Sequence, residues 1–155
     1  MNPAAFAALP NPCELSAEGP HGPDRITRHS YDAAGQLLKV QKAYGTSLQQ
    51  DYATYGYSAN GKRISVTDAN GNLAKMSWDG HGRQSRWTFP SRSVPGEVRA
   101  TDYEEYGYDA AGNRTSLRKR DGSTLAYTYD ALNRMTRVTH ADGQAFTYAH
   151  DAAGR

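Results

Sequence analysis

An aromatic residue followed by Asp, two further residues and Gly returns along most of this chain, and that spacing limits the fold more than any other property of the sequence. Tyr31-Asp32-Ala33-Ala34-Gly35 and Tyr108-Asp109-Ala110-Ala111-Gly112 are the clearest copies. Trp78-Asp79-Gly80-His81-Gly82 and Tyr129-Asp130-Ala131-Leu132-Asn133 vary it. Tyr57-Ser58-Ala59-Asn60-Gly61 and His150-Asp151-Ala152-Ala153-Gly154 are more divergent. The aromatic position falls at 31, 57, 78, 108, 129 and 150, in steps of 26, 21, 30, 21 and 21 residues. A period of about 20 residues marks a repeat array, in which each unit buries apolar surface only against its neighbours.

The unit from Ser123 to Gly143 can be read element by element. Thr124 to Tyr129 is rich in Thr and Tyr, which favour strands. Asp130 to Asn133 is a turn, and Arg134 to His140 a second strand. Asp142-Gly143 then reads as a two-residue hairpin turn with both central residues at positive φ, as do Asp121-Gly122 and Asn70-Gly71. Each unit is therefore expected to hold two strands and two alternating turn types. From residue 25 on this gives an antiparallel meander of about nine or ten strands. Its edges are expected near Ser30–Val40 and Phe146–His150, where unpaired backbone invites self-association. Phe89 to Gly96 contains Pro90 and Pro95 and lengthens one step to 30 residues. It is read as an insertion into a 21-residue unit.

Each repeated position has a physical reason. Asp at 32, 79, 109, 130 and 151 can start the turn by accepting backbone N–H groups. The last position, Gly35, Gly61, Gly82, Gly112 and Gly154, or Asn133, suits a left-handed residue that returns the chain to the sheet through a bulge. The aromatics Tyr31, Tyr57, Trp78, Tyr108 and Tyr129 share a strand face with the residue two before, as in Tyr55, Met76, Tyr106 and Tyr127. Val40, Val66, Trp87, Leu117 and Val138 give the returning strand its own apolar position. Leu, Ile, Val and Phe together number only 19 of 155 residues. The 11 Tyr, in register with the repeat, are the expected substitute for an aliphatic core. Each can bury roughly 150–250 Å².

Residues 1–24 hold five prolines and little periodicity, and are read as an arm or linker ahead of a repeat module over 25–155. The segment Met1 to Leu9 lacks a basic start and is a poor signal peptide. No apolar run is long enough to cross a membrane. Cys13 is alone, so no internal disulfide is available.

At the aromatic-Asp-x-x-Gly residues and the Asp-Gly turns between them, the chain resembles the YD-repeat, or Rhs, family over about residues 29–155. That family includes shells of bacterial polymorphic toxins, the C component of insecticidal toxin complexes, and teneurins. The resemblance implies an all-β antiparallel hairpin meander, a segment of a sheet that spirals into a shell. It implies as partners the remainder of such a shell or a toxin cargo, and a secreted or cell-surface location. Carbohydrate binding is a second family association. The chain departs from the family in carrying six repeats rather than many, and in lacking the self-cleavage aspartate motif and a toxin domain. It is therefore expected to be an excerpt of a longer array.

Catalytic chemistry finds no constellation. His21, His29, His81, His140 and His150 lack metal-ligand spacing, and there is no nucleophile elbow or phosphate loop. Asp68 to Asn72 lacks the glycine placement and terminal Glu of a calcium loop and reads as a hairpin turn. Arg118-Lys119-Arg120 is a short basic run at a strand end, and Asn113-Arg114-Thr115 matches a glycosylation sequon beside a turn. Net charge is only +2, so no nucleic-acid partner is implied. The expected function is a non-enzymatic shell or scaffold module without cofactor, catalytic or metal site. The alternative is a carbohydrate- or cell-surface-binding repeat, in which exposed aromatic faces would stack on a glycan.

Overall fold

Short runs of Thr, Tyr and alternating small residues between tight turns leave one economical way to satisfy the backbone, which is for each strand to pair with those before and after it. The structure, a computed structural model, describes residues 26–154. The arm read over residues 1–24 lies outside the described residues. The strands are β1 (Arg28–Tyr31), β2 (Leu37–Lys42), β3 (Gln50–Tyr57), β4 (Arg63–Asp68), β5 (Leu73–Trp78) and β6 (Gln84–Pro90). They continue with β7 (Val98–Tyr108), β8 (Arg114–Arg118), β9 (Thr124–Tyr129), β10 (Met135–His140) and β11 (Ala145–Thr147). They form one open antiparallel sheet in chain order, with no helix among the described residues.

The sheet has 11 strands rather than nine or ten, because the short stretches β1 and β11 also pair. Those two are its edges. Val40, placed near an edge by the sequence, is on β2 and has partners on both sides.

The two turn classes share one geometry, contrary to the alternation expected. In Asp68–Asn72, Asp68 N donates to Asn72 O and Gly71 N to Asp68 O. Asp109 and Asn113, with Gly112, make the same pair of bonds. Gly71, Gly122 and Gly143 have positive φ, but Asn70, Asp121 and Asp142 do not. The residue three before each of these glycines closes the turn, so it is a three-residue loop with one left-handed position.

The two rims of the sheet differ beyond the turn. In the hairpins that follow an aromatic-Asp pair, the register slips by one residue. Ser30 faces Lys39 and Tyr31 faces Leu37, leaving Leu38 unopposed. Ile64, Ser85, Thr115 and Thr136 are unopposed in the same way. The hairpins β4–β5, β8–β9 and β10–β11 keep register. Bulges bend and twist the strand that carries them; one rim is bulged at every turn, whereas on the other only the β2–β3 and β6–β7 hairpins slip.

The register also sorts the faces. One face carries the rows Tyr55–Val66–Ala74, Met76–Trp87–Glu104, Tyr106–Leu117–Leu125 and Tyr127–Val138–Phe146. The other carries Lys39–Thr54–Thr67, Ser77–Arg86–Glu105 and Gly107–Ser116–Ala126. The tyrosines do not form a buried core. Among the described residues only Ala53, Ala74 and Met76 are buried, because a single-layer sheet has nothing stacked on its apolar face. The tyrosines of the rows are half-buried along that face.

Candidate functional site

The bulged rim holds the repeated residues in two ladders. The first runs through the aromatic position. Tyr57 Oη donates to Leu37 O at 2.9 Å, Trp78 Nε1 to Arg63 O at 2.9 Å, Tyr108 Oη to Gln84 O at 2.9 Å and Tyr129 Oη to Arg114 O at 2.9 Å. His150 Nε2 lies 2.8 Å from Met135 O. In every case the carbonyl belongs to the first strand residue after the preceding turn, beside the bulge. The slipped register interrupts the ladder there, and the next repeat's aromatic supplies a donor. Tyr31 has no repeat before it among the described residues and is 58% exposed.

Polar residues just after the turn glycine form the second ladder. Gln36 Nε2 lies 3.2 Å, and Lys62 Nζ 2.9 Å, from where a Cβ would stand on Gly61 and Gly82. Arg83 Nη1 donates to Asp109 O at 2.7 Å, Asn113 Nδ2 to Asn133 Oδ1 at 2.8 Å, and Arg134 Nη1 to Asp151 O at 3.1 Å. Five consecutive turns thus each reach the next. Arg83 also stacks on the Tyr108 ring, 4.7 Å from its centre.

Each turn is fixed from within by its first side chain. Asp32 Oδ1 accepts from Ala34 N and Gln36 N at 2.9 and 2.8 Å. Asp79 and Asp130 do the same two and four residues on, and their second oxygen pairs with Arg83 Nε and Arg134 Nε, both at 2.7 Å. The N–H three residues on donates instead to the Asp carbonyl. Ser58 replaces Asp in its turn and accepts from Lys62 N at 3.1 Å. Gly35, Gly61, Gly82, Gly112 and Gly154 have positive φ, and so does Asn133 at 60°.

The same bonds set the acid response. The Asn113 amide side chain holds the Asp109 carboxyl below its ordinary value of 3.8, and Asn72 does so for Asp68. The backbone N–H groups of Arg83 and Arg134 do it for Asp79 and Asp130. Carboxyls lowered in the folded chain stabilise it above their unfolded value, and that stabilisation is lost as pH falls through the lowered values. Burial, with the neighbouring Glu104 carboxylate, pushes the Tyr106 hydroxyl up to about 12. Its contribution is complete below about 10 and is lost as pH rises through 12. Thermal melts across pH should therefore show a plateau that falls below about pH 4 and again above about pH 10. A melting temperature unchanged down to pH 2 would contradict the turn assignment.

The aromatic ladder makes a paired prediction. Tyr129→Phe removes the donor to Arg114 O and should cost about 1 kcal/mol. Tyr31→Phe, at a side chain with no hydrogen bond among the described residues, should leave the denaturant midpoint unchanged. Equal effects of the two would show that the bond to the preceding repeat contributes nothing.

The RHS Repeat family profile matches residues 108–145 and 129–155, the segment in which both ladders are complete. Residues 108–155 carry the RHS, or YD, repeat, and the chain resembles that family. Solved structures agree with this RHS fold. A TcdB2-TccC3 crystal structure is 25% identical with a TM-score of 0.63, over 75% of this chain and 6% of that one. A Photorhabdus luminescens Tc holotoxin pore carrying a mutation in TccC3 is 21% identical with a TM-score of 0.68, over 88% of this chain and 8% of that one. The chain thus spans less than a tenth of the length of either. No curated protein sequence matches it.

Proposed function

We propose that this chain is a structural wall module, part of a shell that encloses a polypeptide cargo such as a toxin or effector domain, and that it acts without catalysis. One observation carries the reading: a single-layer sheet presents a largely apolar face on one side, interrupted at Glu104, and a polar face on the other. An apolar face of this extent requires cover, and a wall whose interior is occupied by a polypeptide provides it. The repeated polar groups support the same reading, since among the described residues they are consumed in holding repeat to repeat. They also favour a wall over a glycan platform. The polar tips of the repeat aromatics Tyr57, Trp78, Tyr108 and Tyr129 are spent on the preceding repeat and their rings are half-buried. A secreted or surface-delivered, toxin-bearing assembly is the setting we propose for it, with the repeat module over 25–155 as the unit of the wall.

A photocrosslinker distinguishes the faces. Placed at Leu125, on the apolar face opposite Leu117, it should capture a permanently unfolded polypeptide such as reduced, carboxymethylated lactalbumin. Placed at the adjacent Ala126, on the polar face opposite Ser116, it should not. Equal capture from both positions would remove the sidedness on which the reading depends.

A further inference from the structure

The 30-residue step in the array is an insertion that the repeat does not explain, and it builds a cleft on the rim away from the ladders. Strand β7 runs for 11 residues. Its pairing with β6 passes from Thr88–Tyr103 directly to Pro90–Val98. Phe89 alone therefore faces the four residues from Arg99 to Asp102, and this segment bows out of the sheet. The loop before it is fastened: Ser91 N donates to Glu97 O at 2.8 Å and Gly96 N to Gly71 O at 2.9 Å. Ser91 Oγ accepts from Val94 N at 3.1 Å. From the other side Arg120, in the β8–β9 turn, reaches across. Its guanidinium lies 3.8 Å from the centre of the Phe89 ring and grips both carboxylate oxygens of Asp102 at 2.8 and 2.6 Å. The result is a cavity of about 330 Å³ lined by Arg92, Arg99, Thr101, Asp102, Arg120 and Asp121.

The charges in this cleft are unevenly committed. Asp102 is gripped by Arg120 through both oxygens and also feels the charges of Arg92 and Arg99, whereas Asp121 accepts through Oδ1 from the backbone N–H and hydroxyl of Ser123. Of the remaining cations, Arg99 uses only Nε, donating to Thr101 Oγ1 at 3.2 Å. Arg92 makes no hydrogen bond to another described residue. Two guanidinium groups thus face one polar cavity with their donor forks unspent. A planar fork of this kind matches the oxygens of a phosphate or sulfate, bidentately and with charge assistance.

We propose that this cleft binds a tetrahedral oxyanion, presented as the phosphate or sulfate ester of a small polar molecule the size of a monosaccharide. Arg92 and Arg99 hold the anion. The Arg120–Asp102 pair fixes the wall of the cleft, and Asp121 repels deeper entry of a second charge. The inference stands apart from the shell reading, since none of the six lining residues belongs to the bulged rim or to the apolar rows.

Calorimetric titration of the full chain tests it, with a hexose monophosphate, the parent hexose and inorganic phosphate as probes. The expected result is saturable binding of the hexose monophosphate and none of the hexose. The double variant R92Q/R99Q, at two exposed positions, should melt with the parent protein and weaken binding at least about tenfold. R137Q, which removes one exposed charge from β10, should leave binding unchanged. If inorganic phosphate binds as tightly as the ester, the cleft is an oxyanion site whose source is the free ion, and the assignment of Arg92 and Arg99 stands. The proposal is overturned if the parent protein binds no ester, if hexose binds as well as its phosphate, or if R137Q weakens binding as much as R92Q/R99Q.

Discussion

Met76→Ala should lower the unfolding free energy by about 2–5 kcal/mol, the range for truncating a buried Met, Leu or Ile. Met76 is the most buried side chain among the described residues, at 4% exposure. It lies on β5 opposite Trp87, between Ala74 and Trp78 on the same face. Ala74, its neighbour on the same face, is small and cannot fill the space that truncation leaves. The loss should also be local in its consequences. Every strand contacts chiefly the ones before and after it, and a sheet of this kind behaves as a row of nearest-neighbour interfaces. Weakening the β5–β6 interface should let the two halves of the array open separately. In hydrogen exchange, amides of β5 and β6 should lose protection more than those of β9 and β10. Uniform loss along the whole sheet would mean that the array unfolds as a single unit, and a cost below about 1 kcal/mol would mean that Met76 does not anchor the core.

Gly112→Val should cost about 1–2 kcal/mol, the strain of holding an ordinary side chain in the left-handed region. Its φ is 92°, and a Cβ there would meet no atom within 4 Å. Crowding is therefore absent, and the whole effect comes from the backbone. The order of substitutions follows from that: Val should be worst, Ala intermediate and Asn mildest, because Asn tolerates positive φ. The converse change, Asn133→Gly, should be neutral or slightly stabilising at φ 60°, less any contribution from the Asn113–Asn133 bond. Chemical denaturation of the four variants gives the order. Val and Asn at 112 with equal midpoints would show that the turn does not demand a left-handed residue.

The all-β meander was legible because aromatic, Asp and Gly spacings are local and each has a local cause. Asp starts the turn, Gly or Asn ends it, and residues two apart share a face. What escaped the sequence depends on register. Leu37 O and its counterparts accept the aromatic donors beside a slip of one residue in strand pairing; the turn glycine pointed to a bulge, but nothing in the side-chain pattern marks which carbonyl it frees. The partners are also backbone carbonyls, which every residue has. Asp121-Gly122 and Asp142-Gly143 misled for a related reason. The dipeptide fits a two-residue loop, yet Lys119 and His140 close the turn one residue earlier through their backbone, which carries no residue signature. The insertion was visible in the 30-residue step. The bow of Arg99 to Asp102 around Phe89 was not, since it follows from where pairing resumes.

The aromatic ladder has a direction. Each donor lies 15 to 24 residues after the carbonyl it holds, as in Tyr129 to Arg114 and Tyr108 to Gln84. A ribosome makes the acceptor first, already seated in a finished turn, and the donor second. Each repeat can therefore lock onto its predecessor as soon as its own tyrosine emerges, without waiting for anything downstream. Strand pairing in chain order permits the same sequence of events. A wall assembled this way grows at the pace of translation and from one end, so an interrupted synthesis leaves a shorter sheet with a sound beginning rather than a misfolded whole.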